Sequence, residues 1–311
     1  MGAGRYDGAF RRTCHRVEEQ TNTWRQENQE APQRLAQLVT VSPAQRALLI
    51  DNSAQFATAA VVLGLLHRAR RQDEAPQAQA LAQLALELVP KLSTRRYSVG
   101  LIADLRCYAL VELASAQERL GRLAQSQATL RRAEYAQHLG SGDAELEARL
   151  LVTQARWLAR CYRYPEAFQK VRDAEEILQE IADRDGETAL RVLYGRWLLD
   201  THQPGEASWE LRRALRHAAG QQRFEAICAL AEAVAALGDV VKARRLLASL
   251  ASEGAPTAQA AARLAWLEGC VSAAEGSPEL AVHFFREAHE AFVRLGCGDE
   301  ADRAERALDR L

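Results

Sequence analysis

An all-α fold, a right-handed α-α superhelix of about six stacked helix pairs with a capping helix at each end, is predicted by three observations. Ala, Leu, Arg, Gln and Glu dominate the 311 residues, and all five are strong helix formers. Only 8 Pro and 18 Gly interrupt them, and no segment alternates apolar and polar residues between turn signals, so no sheet is expected. One three-residue stripe then recurs five times: a small residue, a partner four later and another seven later, on one face of a helix.

Residues 1–41 read as an N-terminal helical arm. Phe10, Cys14, Val17 and Trp24 lie on a narrow seam of an otherwise polar helix, suited to docking on another helix. The plainer reading is that the arm caps this chain's own array, because terminal repeats need a polar outer cover. Residues 42–92 read as a degenerate pair. Ser42-Pro43 supplies an N-cap and an N1 proline, and Asp51-Asn52-Ser53 starts a helix over 54–71. After a turn at 72–76, Ala78, Ala82 and Ala85 carry the stripe, and Pro90 closes the helix.

Residues 93–296 hold the regular units. The stripes are Ser126-Leu130-Ala133, Ala167-Val171-Ala174, Ala207-Leu211-Ala214, Ala243-Leu247-Leu250 and Ala281-Phe285-Ala288. Each opens the second helix of a pair. A small first residue lets that helix approach the first closely, and the larger one four later fills the space between them. Ala114, Ala155, Gly195, Ala231 and Gly269 are the matching small residues at the centres of the first helices. Gly121, Gly238 and Gly276 mark turns, and Gly140-Ser141-Gly142-Asp143 reads as a helix stop followed by an N-cap Asp. Gly296-Cys297-Gly298-Asp299 breaks the chain, and residues 297–311 read as a C-terminal capping helix.

These units resemble the tetratricopeptide repeat family over residues 93–311, most clearly in the turn and second helix. The stripe spacings of 41, 40, 36 and 38 exceed the family's repeat of about 34. The aromatic the family carries four before the small central residue is replaced by Leu110, Leu151, Arg191, Ile227 and Ala265. The last unit, Arg263–Gly269 with Gly276 and Phe284-Phe285, is similar to those of irregular bacterial members, whose arrays often accompany regulatory genes. In this family the first helix of each pair lines a concave groove. Carried over by position, groove residues include Tyr108, Arg149, Arg156, Arg196, Glu232, Arg263 and Trp266. Arg149, Arg156 and Arg196 are then expected to meet in mid-groove. Guanidinium forks bind carboxylates in pairs of hydrogen bonds, which suits an acidic or C-terminal carboxylate segment of a partner, with Tyr108 and Trp266 as flanking anchors. The alternative is that these arginines pair with glutamates of neighbouring helices.

Formal charge is −1, so bulk attraction to nucleic acid or an anionic membrane is not expected. The first hundred residues carry a mild excess of +4, which an ordinary solvated surface explains. The apolar run from Phe56 to Leu66 is too short to span a bilayer. Six scattered cysteines without CxxC, and a start without an apolar leader, point to a cytoplasmic protein with reduced thiols. No phosphate loop, HExxH or GxSxG occurs, and the seven histidines lack metal-ligand spacing. No cofactor, metal or catalytic residue is therefore expected. The function expected is a non-enzymatic adaptor or regulatory subunit that binds a protein or peptide. A peptide-sensing switch controlling an effector and an accessory subunit of a nucleic-acid complex are the alternatives.

Overall fold

The computed structural model describes the backbone of residues 3–253 and 257–311, and the side chains of residues 21–42, 44–251, 257–298 and 300–311. Among these residues every regular element is a helix. Two compact units divide at Tyr162/Arg163.

The first unit holds α1 (Ala3–Thr40), α2 (Pro43–Asn52), α3 (Ala59–Arg70), α4 (Ala75–Leu88), α5 (Val99–Arg119), α6 (Leu123–His138) and α7 (Ala144–Arg160). The second holds α8 (Tyr164–Glu180), α9 (Arg184–Asp200), α10 (Pro204–Ala214), α11 (Gly220–Ala236), α12 (Val240–Glu253), α13 (Ala258–Ala274), α14 (Pro278–Arg294) and α15 (Gly298–Leu308).

The two helices of a pair begin differently. Five first helices are capped by side chains, with Thr58, Ser98, Asp143, Asp183 and Thr257 each accepting a hydrogen bond from a backbone N–H in the first turn, whereas α11 follows Ala219 without one. Second helices α4, α8, α10 and α14 carry a proline at their first or second residue and lack such a cap. Ser42 and Gln45 form a reciprocal capping box at α2, as the Ser42-Pro43 pair predicts. The expected start at residues 51–53 is corrected: Ala54–Phe56 is a 3-10 turn, and Thr58 caps α3 instead.

The stripe is the packing code. All of its residues, from Ala78 and Ser126 to Phe285 and Ala288, are at most 4% exposed. At the small central positions the fit is tight. A Cβ added to Gly195 would lie 2.7 Å from Leu211, and one added to Gly269 would lie 2.5 Å from the Phe285 ring. Ser126 fits the alanine position because its hydroxyl donates to the Ala114 carbonyl at 2.9 Å, leaving no buried donor unpaired.

Turns between first and second helices pass through one left-handed residue. Gly121, Gly238 and Gly276 have φ of +72°, +82° and +73°. The corresponding residues in the other two turns are Tyr162 and His202, both at +58°. In four of these turns the next amide closes a six-residue hydrogen bond, as from Gln203 to the Leu198 carbonyl at 2.8 Å.

Within the first unit, α1 packs on α3, where Leu35 sits over Gly64 and Leu38 is fully buried. The buried carboxylate of Glu27 accepts a hydrogen bond from the Tyr97 hydroxyl at 2.7 Å, and that hydroxyl accepts one from the Ala59 amide at 3.1 Å. Arg96 pairs with the same carboxylate. Trp24 meets the edge of Tyr97 with ring centres 6.5 Å apart and remains 39% exposed. The other three seam residues, Phe10, Cys14 and Val17, lie outside the described side chains.

Candidate ligand-binding faces of the first helices

Alternate helices touch within each unit, so the first helices form a layer of their own: α3, α5 and α7 in one unit, α9, α11 and α13 in the other. The candidate residues sit on these layers in two groups, one per unit.

The first group centres on Tyr108, Arg149 and Arg156. Arg149 donates to the Tyr108 hydroxyl at 2.6 Å, with its guanidinium 4.5 Å from the ring centre. It also pairs with Glu145 at 2.8 Å and Glu112 at 3.6 Å. Arg156 and Arg160 flank the buried Glu118 at 2.9 and 3.7 Å. Arg119 donates to the Gln72 carbonyl at 3.0 Å and to that of Asp73. Five arginines (70, 119, 149, 156 and 160) therefore stand beside four carboxylates, Glu112, Glu118, Glu145 and Asp73. Burial is the first cause of the shifts here; the arginines add to it at His67 and Arg119 and oppose it at Glu112. Burial raises the Glu112 pKa in spite of Arg149. Burial and the nearby Arg149, Arg71 and Arg70 lower that of His67. Burial and Arg156 lower that of Arg119.

The second group, Arg196, Glu232, Arg263 and Trp266, lines one recess of about 470 Å³, counting its open mouth. Cys228, Phe292, Glu225, Glu300 and Arg303 complete much of its wall. Here charges balance. Arg263 lies 3.2 Å from Glu225 and 3.4 Å from Glu300, and Arg196 lies 3.6 Å from Glu300. Arg303 pairs with Glu232 at 2.6 Å and Asp200 at 3.3 Å, and its guanidinium stands 5.1 Å from the Trp266 ring centre. Trp266 donates from Nε1 to Glu232 at 3.2 Å. Burial and neighbouring Arg263 lower the Arg196 pKa. Burial opposes the charge of Arg303, but Glu232 and Asp200 more than offset it and raise its pKa.

Glu300 and Arg303 come from α15, which sequence reading treats as a cap alone. The signal was present. First-helix centres at 195, 231 and 269 extend by one more period, of 37, to position 306. Glu300 and Arg303 then fall six and three before the centre, as Glu225/Cys228 and Arg263/Trp266 do. Arg306 hid the match, because it stands where a small residue marks the other centres.

Among the tryptophans, Trp197 is buried and Trp157 donates to the Leu123 carbonyl at 2.9 Å, whereas Trp209 is 59% exposed with Arg213 over its ring. Neither the Cys228 thiol in the recess nor Cys270 on α13 is poised for attack: burial pushes Cys228 up to about 12 and raises Cys270 well above the usual thiol range. Among the described residues, no three His, Cys, Asp or Glu side chains converge as metal ligands, and no helix is long and apolar enough to cross a membrane.

No protein-family profile and no curated protein matches the chain in sequence. Solved structures do match in fold. BtubC (BKLC) from P. vanneervenii superposes with a TM-score of 0.53 at 16% identity, over 72% of this chain and 93% of that one. PilF from Pseudomonas aeruginosa gives 0.47 at 19% identity, over 79% and 93%. The fold is all-α and tetratricopeptide-like, in keeping with the resemblance read from the stripes.

Proposed function

We propose that the chain is a non-enzymatic, protein-binding scaffold that holds an acidic segment of a partner against the α3–α5–α7 face. The observation that carries this reading is the surplus of arginine over glutamate on that face, where Arg70 and part of Arg156 reach solvent. A carboxylate-bearing chain laid across the face gains charge-assisted hydrogen bonds from guanidinium groups that internal partners already hold in place. Stacked helix pairs present such a face preformed, so little ordering cost falls on the scaffold when it binds.

The test is fluorescence anisotropy with a labelled peptide rich in glutamate, against a lysine-rich peptide of equal length. The acidic peptide is expected to bind, more weakly as salt rises, and the basic one not to bind. Arg70→Glu with Arg156→Glu should weaken binding by at least about tenfold, or about 1.4 kcal/mol, with helix content retained in far-UV circular dichroism and some melting temperature lost because Arg156 pairs with the buried Glu118. Equal binding of both peptides, or full affinity in the double variant, assigns the face wrongly. Tight binding of single-stranded RNA instead would replace the protein partner with a nucleic acid.

A further inference from the structure

One wall of the second unit's recess is built by the chain's own last helix. Glu300 lies between Arg263 at 3.4 Å and Arg196 at 3.6 Å, while Arg303, one turn on, pairs with Glu232 and Asp200. One short helix thus answers the charges of α9, α11 and α13 with a carboxylate and a guanidinium three positions apart. Its apolar hold is slight: its fully buried side chains are Ala301 and Ala304, whereas the preceding α14 buries Phe285 and Phe292. It follows a left-handed turn of the same kind as those inside the pairs, with Gly296 at φ +69° and the Cys297 amide donating to the Phe292 carbonyl at 2.9 Å.

We infer that α15 is a displaceable self-ligand, and that the charged surface of α9, α11 and α13 it covers beside the recess is an interaction surface for a partner helix of the same chemistry. That helix carries an acidic residue, a basic residue three later, and small residues beside each. The ion pairs fix its direction and register. The alanine face lets a partner with larger apolar side chains near Trp266 and Phe292 outcompete α15. α15 packs on α14 through Ala301, beside Phe292, but its hold on α9, α11 and α13 is mainly ionic, and partly solvated pairs contribute little to stability yet discriminate strongly against wrong charges. This site and the arginine-rich face of the first unit stand on different residues, so either assignment can fail alone.

The experiment uses the full chain and a fluorescein-labelled peptide of residues 296–311 as the probe. In the wild-type chain the tethered α15 competes at a high effective concentration, and the peptide should bind weakly. In E300K/R303E the attached helix meets like charges and leaves, and the peptide should bind at least about tenfold more tightly. A peptide carrying the same two reversals should not bind that variant. Equal affinity for both chains, or binding of the reversed peptide, overturns the inference. Should the double variant lose its fold, E300Q with hydrogen exchange decides. Faster exchange confined to residues 298–308 supports displacement, and unchanged exchange there overturns it. An acidic peptide that fails on the first unit while the α15 peptide binds here would sink only the earlier proposal.

Discussion

Replacing Arg191 by Met tests how the buried charges of the second unit are held. Arg191 occupies the position four before Gly195, where related repeats place an aromatic, and it is 6% exposed. Its guanidinium contacts Glu175 and Glu187 and donates to Glu210 at 3.1 Å. Arg213 adds a second cation, 3.4 Å from Glu210 and 3.7 Å from Glu175. Methionine keeps most of the volume and removes the charge, leaving three carboxylates around one partly exposed arginine. Breaking a buried ion network from one side costs about 3–5 kcal/mol, and that range applies here at neutral pH.

The loss should depend on pH with a definite sign. Burial already raises the Glu210 pKa above its ordinary value, and removing Arg191 raises it further. A carboxyl whose folded pKa exceeds its unfolded one favours the folded state below the unfolded pKa and loses that contribution as pH rises through the folded one. R191M should therefore lie closest to wild type in mild acid and fall away towards neutrality. R191M/E210Q should recover much of the loss at pH 7. Urea unfolding followed by the fluorescence of Trp197, on the same helix, measures this. A cost under about 1 kcal/mol that does not vary with pH would show that the carboxylates are solvated rather than caged.

Three further outcomes follow from local geometry. Gly269→Ala sets a methyl 2.5 Å from the Phe285 ring and should cost about 1–3 kcal/mol in urea unfolding, despite alanine's better helix propensity. Ala182→Gly should stabilise by about 0.5–1 kcal/mol in the same assay, because Ala182 is exposed with φ +57°, a conformation that penalises a Cβ. Burial, and then the hydrogen bond to Glu27, raise Tyr97 to about 12 although the Ala59 amide opposes them. Its contribution should accordingly be complete below about pH 10, the unfolded value, and vanish as pH rises through 12; a tyrosinate absorbance step near pH 12 absent from Y97F checks it.

The stripes were legible because a close helix crossing tolerates only a few side-chain sizes, and such limits leave a periodic mark. Turns at Gly121, Gly238 and Gly276 were legible for the same reason, since glycine accepts φ above zero without cost. Tyr162 and His202 take the same conformation and gave no sign of it; at His202 the hydrogen bond from the Gln203 amide to the Leu198 carbonyl closes the turn around a residue that does not prefer it. Charge pairing was the least legible. That Arg156 would find Glu118, or Arg263 both Glu225 and Glu300, depends on which helices lie side by side, and partners 37 or 38 positions apart follow no local pattern. Arg191 shows the limit most clearly: in sequence it reads as a departure from the family, and in the fold it is the centre of a cage.

The notch-and-knob fit of Gly195 with Leu211, and of Gly269 with Phe285, couples mutations at sites sixteen apart in the chain. Neither glycine can enlarge unless its opposite number shrinks, so Gly269→Ala becomes tolerable only together with a change such as Phe285→Val. Viable lineages must then move the two in opposite directions, at constant combined bulk.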